Sequence, residues 1–236
     1  ALTEEEIATA VAFMVTGRGP DDVLIDAIDS EDLTDDGVIA QHVDRLAAKE
    51  STAFRGYAKG FFYDWLGLDR VYRANPSATD VSAMSAAANA LFDPADAGPN
   101  TKRAIVQDAL GFALEQMANG TLQGLMSSQA VGLSGAGLDT ALATLYGSTE
   151  GAVTLPENRK GILTRAAVAV AYSLHDEPSP IFRGKFVRQR FFCFEPAPPP
   201  PGVEVELKDA GTGVDNSTRA RFQKHRESGT SCENCH

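Results

Sequence analysis

The chain has 236 residues, 43% of them hydrophobic, enough for one large domain or two small ones with a sizeable core. A formal charge of −11 argues against a nucleic-acid binder, which presents cations to phosphates. Three cysteines are too few for a disulfide framework, and no apolar run reaches the roughly 18 residues of a membrane-crossing helix.

The first half reads as helical. Thr3 and Glu6 have capping-box spacing, each side chain placed to satisfy a free backbone donor at a helix start. Ile7, Val11 and Met14 follow at helical spacing, and Gly17-Arg18-Gly19-Pro20 is a stop. Asp21 opens a short acidic helix with Val23, Leu24 and Ile25. Asp35 or Asp36 caps one bearing Ile39, Val43 and Leu46. Ser51 caps the next, whose Phe54, Tyr57, Phe61, Phe62, Trp65 and Leu66 are expected in the core. Two more helices are expected over the Ala-rich residues 78–92 and over 101–118. A Gly-rich turn spans 132–137, and Leu138–Tyr146 forms a further helical piece.

The texture changes at Leu155. Pro156-Glu157-Asn158 is turn chemistry, and Ile162–Leu174 reads as one compact apolar helix. Ser179-Pro180 starts another, with proline at the first helical position, running to about Phe192. There Phe182, Phe186 and Val187 form an apolar stripe beside Arg183, Lys185, Arg188 and Arg190. Pro196 and Pro198 through Pro201 enforce an extended polyproline strap. Asn216 or Ser217 caps a last short helix through about Arg226.

Charge changes with texture. Residues 1–156 hold nine basic and twenty-two acidic residues, net −13; residues 157–192 hold seven and three, net +4. That shift suggests two units, 1–154 and 155–236, although an acidic face packed on a basic one reads equally well.

The chain ends in Cys232-Glu233-Asn234-Cys235-His236. Cys-x-x-Cys-His is the attachment signature of a c-type haem. Two thiols at that spacing bond to the two vinyl groups of one porphyrin, and the adjoining imidazole supplies the proximal iron ligand. A zinc site built from Cys193, Cys232, Cys235 and His236 is the rival donor set. If haem takes two cysteines, Cys193 is left over, and a buried thiol is expected there. His225 is the candidate distal ligand, with His175 behind it. Met14, Met84, Met117 and Met126 are expected in the core, and a ligand from outside the chain stays open. Haem propionates are carboxylates that favour cationic partners; Arg183, Lys185, Arg188, Arg219 and Arg221 are the candidates.

No hydrolase nucleophile stands out. Gly132-Leu133-Ser134-Gly135-Ala136 misses Gly-x-Ser-x-Gly at its last position. It also lacks the lysine and preceding strand of a phosphate-binding loop. The acidic pairs Asp21-Asp22 and Asp35-Asp36 sit at helix starts, where the macrodipole favours them.

Several stretches together resemble a known arrangement. Leu2–Ala8, Pro20–Leu24 and Asp64–Leu68 resemble the helical domain of large planctomycete-type cytochrome c proteins. Arg159–Thr164, Ser179–Arg188, Phe192-Cys193, the proline run, Thr218–His225 and Cys232–His236 resemble the cytochrome-like domain that follows it. These are the DUF1592 and DUF1588 families.

The resemblance implies a mainly α protein. A helical DUF1592-like domain over 1–154 precedes a smaller DUF1588-like haem-bearing region with a polyproline strap over 155–236. It implies haem c with its iron, an exported, periplasmic or other cell-envelope location, and a chain truncated after the haem motif. Export also implies a processed or truncated beginning, since no signal peptide is encoded. Electron transfer to a redox partner protein, or within a larger envelope complex, is the expected role. The alternatives are a haem enzyme with an open iron position and a helical interaction module.

Overall fold

The computed structural model describes residues 2–73, 99–118, 121–133, 137–173, 178–197, 220 and 222–223. The protein is mainly α. Ten α-helices account for nearly all regular structure among the described residues, joined by one 3-10 turn and one isolated bridge, Ala130 to Thr154. Packing divides the chain into two compact units, Ala1–Asn75 with Ser85–Ala171, and Pro76–Met84 with Tyr172–His236.

The first unit begins with four capped helices. Helix α1 (Glu4–Thr16) carries the expected box: Thr3 N donates to Glu6 Oε2 at 2.8 Å, and Glu6 N to Thr3 Oγ1 at 3.3 Å. It stops at Gly17, which sits at φ +67°, a left-handed conformation that glycine adopts without strain. A Cβ there would also run into the Tyr57 ring. Asp21 caps α2 (Asp22–Ser30), Asp35 caps α3 (Asp36–Leu46) and Ser51 caps α4 (Thr52–Trp65), all by side-chain oxygens on free backbone amides. Ala8, Ala12, Leu24, Ala27, Leu33 and Leu46 form one buried cluster under these helices.

Packing departs from the sequence expectation at the methionines and on the aromatic face of α4. Met14 lies 77% exposed, because the buried row of α1 is Ala8, Ala12 and Thr16 at four-residue spacing and residue 14 projects elsewhere. Met117 and Met126 are also exposed, and Met84 falls outside the described residues. The aromatic face of α4 is only half core. Ala58, Phe62 and Leu66 point inward, whereas Tyr57 and Phe61 occupy the adjoining row and stay exposed, Phe61 stacked on Trp65 at 5.9 Å.

Helix α5 (Asp69–Arg73) leads on in the described chain to the long α6 (Pro99–Ala118), the central element of this unit. Ile105, Val106, Ala109, Leu110, Phe112, Ala113 and Leu114 are all buried, so its middle is enclosed nearly all round. Helices α4, α5, α7 (Leu122–Ser127), α8 (Thr140–Tyr146) and α9 (Ala166–Ala171) pack on it. The expected helix over 78–92 lies outside the described residues.

The apolar run from Ile162 is not one helix. It divides into a 3-10 turn (Ile162–Thr164) and α9, with Arg165 extended between them at φ −66°, ψ 143°. Backbone bonds tie this stretch back to the 128–131 segment. Leu155 N donates to Gln129 O at 2.7 Å and Gly161 N to Ser128 O at 2.9 Å.

In the second unit the described core is α10 (Pro180–Phe191). It opens as expected, with Ser179 as N-cap and Pro180 at the first helical position. Phe186 is buried and stacks on Tyr172 at 4.2 Å, with Phe191 edge-on at 5.7 Å. Phe182 is exposed, so the expected apolar stripe narrows to Phe186 and the partly buried Val187. Of the proline strap, Pro196 is described, in a stretch without regular structure; Pro198 through Pro201 are outside the described residues. Ala220, Phe222 and Gln223 are the described part of the last expected helix, and all three are helical.

Candidate functional site

Cys232, Cys235, His236, His225, His175, Arg219 and Arg221 lie outside the described residues. No group of three potential metal-ligating side chains occurs among the described ones. Cys193 is described, and it is exposed rather than buried. It follows the end of α10 in a left-handed conformation, φ 51°, which turns the chain back over the helix and leaves the thiol outside.

That reversal sorts the cations of α10. Phe194 N donates to Arg188 O at 2.9 Å, and the Arg188 guanidinium lies over the Phe194 ring at 4.3 Å. Lys185 Nζ pairs with Glu195 at 3.2 Å, and Gln189 Nε2 donates to the same carboxylate. Those donors, Gln189 first, hold the Glu195 carboxyl below the usual range. Lys185 and Arg188 are therefore engaged by the 194–195 turn.

Arg183 is different. Its Nε is buried, and its guanidinium has no hydrogen bond or ion pair with a described residue. A buried N–H left in that state costs about 1–3 kcal/mol. Arg45 and Arg165 also bury an unpaired Nε, but their terminal nitrogens hold Asp21 and Asp108. Arg183 sits one helical turn before Phe186, so the two lie on neighbouring positions of one face.

Among the described residues, the ion pair with both side chains wholly buried lies in the first unit, and none of the members of its cluster stood out in the sequence as functional. Asp108 on α6 and Arg165 are both wholly buried. Arg165 Nη1 reaches the two Asp108 oxygens at 3.2 and 3.3 Å, Nη2 donates to Ala130 O, and the guanidinium lies 3.8 Å from the Phe112 ring centre. Tyr146 donates its hydroxyl to Asp108 Oδ2 at 2.6 Å and accepts from Ala166 N at 3.1 Å. Gly132 N donates to Asp108 Oδ1 at 2.8 Å. Burial, together with the Asp108 carboxylate beside it, pushes the Tyr146 phenol well above its ordinary pKa. Nearly every polar atom is used, and the Asp108, Arg165 and Tyr146 side chains are buried. The cluster joins α6, the glycine turn, α8 and α9, and its role is structural.

Gly132 explains the glycine turn. A Cβ on it would collide with the backbones of Asp108 and Phe112, and one on Gly111 would collide with Gly132. The turn packs directly on α6, a close approach that needs glycine on both sides. Beside it opens a cleft of about 670 Å³ with Lys59, Gln107, Asp139 and Glu150 on its walls. Both acids are engaged: Asp139 caps α8 through Leu142 N, and Glu150 accepts from Thr140.

These observations define a mainly α protein whose first unit is locked by a buried ionic cluster and whose second carries a basic helix, on which Arg183 Nε is buried without a hydrogen-bond partner among the described residues. The chain belongs to the family described as PSD4, a protein of unknown function (DUF1592), which matches residues 2–147. A match to PSCyt3, also a protein of unknown function (DUF1588), follows over residues 159–236. No curated protein and no solved structure matches the chain.

Proposed function

We propose that the protein is a c-type cytochrome of the cell envelope that transfers electrons. The observation carrying this reading is Cys232-x-x-Cys235-His236, lying inside the DUF1588 match and preceded by the DUF1592 domain. The donor set suits haem. Two thiols three residues apart meet two vinyl groups, and the next side chain is an imidazole, an iron ligand common in haem proteins. Each thiol adds across one vinyl group, sulfur to one carbon and hydrogen to the other, so attachment consumes no oxidant. Bound there, haem supplies a one-electron ferric–ferrous couple. Cys232 and Cys235 would hold the ring covalently, His236 would ligate the iron, and the protein around it would tune the potential.

Haem retention after full denaturation tests the reading. Expressed in the bacterial periplasm with a haem-attachment system, the wild-type chain keeps its haem on a denaturing gel. The double variant Cys232→Ala/Cys235→Ala loses it. A wild-type band without haem staining overturns the proposal.

A further inference from the structure

We infer that the groove between α4, α6 and the glycine turn binds an uncharged polyhydroxyl ligand, a short saccharide segment, with Lys59 and Gln107 as its central contacts. The groove lies wholly within the first unit, so the inference does not rest on haem. Next to the cleft of about 670 Å³ beside the glycine turn lies a second, of about 280 Å³, whose walls include Arg55, Gly56, Gly111 and Glu115. The two clefts share Lys59, Gln107 and Gly132 and meet at those residues. Volumes of this order suit small-molecule ligands. Gly56, Gly111, Gly132, Gly137 and Gly151 all line the groove, and without side chains they leave backbone open to a ligand.

The polar groups left over decide the class of ligand. Arg55 and Glu115 neutralise each other at 3.0 Å. Lys59 and Gln107 are exposed and have no hydrogen bond or ion pair with a described residue. Together they offer an ammonium, an amide N–H pair and an amide oxygen. In the larger cleft Asp139 spends one carboxylate oxygen on Leu142 N and Glu150 spends one on Thr140 Oγ1, so each has a second oxygen to accept with. The groove thus mixes donors with acceptors and positive charge with negative. An anion entering it meets two carboxylates, and a cation meets Lys59. A hydroxyl donates and accepts at once, so a ligand bearing several of them satisfies both kinds of group without bringing charge. A peptide strand would need a free backbone edge. The amides of Val131, Leu138 and Gly151 already donate to the carbonyls of Val153, Ala152 and Leu138.

The test is calorimetric titration of the full chain with cellotetraose, maltotetraose, mannotetraose and xylotetraose, with tetra-alanine and inorganic phosphate as the competing classes. At least one of the sugars is expected to bind with micromolar to millimolar affinity, and tetra-alanine and phosphate are expected to bind more weakly. Lys59→Met and Gln107→Leu should each weaken the bound sugar about tenfold, the loss that follows removal of a hydrogen bond to a charged or well-placed polar group. A Cβ on Gly56 or on Gly60 meets nothing within 4 Å, so both positions accept a side chain. Gly56→Leu should fill the smaller cleft and weaken binding, whereas Gly60, which lines neither cleft, should tolerate leucine with affinity unchanged. No binding of any of the sugars overturns the inference. So does sugar binding that Lys59→Met and Gln107→Leu leave intact, or tighter binding of tetra-alanine or phosphate. Should Gln107→Leu lose its helical circular dichroism, Gln107→Ala replaces it with the same expected loss, and an unchanged affinity there refutes the contact.

Discussion

Arg165 and Asp108 stand 57 residues apart in the chain and meet at 3.2 Å with neither side chain exposed. One belongs to the DUF1588 match and the other to DUF1592. The family boundary therefore runs through a single packed core, and the residues after it complete the domain before it. Buried charges are tolerated only when paired and hydrogen-bonded, so each member of the cluster depends on the others.

Removing one partner should be severe. Asp108→Ala leaves Arg165 with a buried, unopposed charge, and Arg165→Ala leaves Asp108 likewise. Each is expected to cost about 3–5 kcal/mol, read as a lower urea midpoint. The double variant Asp108→Ala/Arg165→Ala should be less destabilised than the two losses summed, since the charge of neither is stranded. Strict additivity would contradict a direct pairing.

The same relationship predicts where the first unit can end. A chain stopped at Thr154 lacks Arg165 and the buried Ile162, Ala166, Ala167 and Val168. It should show no cooperative thermal transition. A chain stopped at Ser173 retains them all and should unfold cooperatively. Equal behaviour of the two truncations would show that the segment is dispensable.

Gly132→Ala places a methyl group against the Asp108 and Phe112 backbones. Backbone does not yield as a flexible side chain does, so a loss of about 1–3 kcal/mol is expected. Gly60→Ala on α4 meets nothing within 4 Å and serves as the comparison, with a gain or no change.

Acid should loosen the first helices before the rest. The two Arg45 hydrogen bonds, ahead of the Leu24 amide, hold the Asp21 carboxyl below its usual pKa. A carboxyl depressed in the folded state adds stability above the unfolded pKa, near 3.8. That contribution is lost as pH falls through the lower folded value. Asp21 is partly exposed, so the pairing itself is small; the N-cap adds about 1 kcal/mol. Asp21→Asn keeps the cap and should flatten the acid limb of stability against pH below about 4. An acid limb as steep as wild type would assign it to other carboxyls.

The helix starts were legible because capping is local. Thr3, Asp21, Asp35, Ser51 and Ser179 each act on an amide two or three residues away. The ionic cluster was not legible, because its members come from four places in the chain. One signal was present: Asp108 lies on the α6 face of Ile105, Ala109 and Phe112, and Arg165 interrupts an apolar run. A charge on an apolar face demands a partner, although the sequence does not say which. Cys193 was misjudged because its exposure follows from a left-handed turn at a non-glycine residue, for which the sequence carries no clear mark. The Cys-x-x-Cys-His chemistry is read from residue order, and among α10's cations only the packed structure separates Arg183 from its neighbours.

The central claim is covalent haem on Cys232 and Cys235. A pyridine haemochrome spectrum paired with the intact mass of the same sample tests it most directly. The account predicts a c-type spectrum and a polypeptide heavier by one haem, with both thiols unavailable to alkylation. A colourless protein of unmodified mass, with both cysteines free to alkylate or bound to zinc, would contradict it.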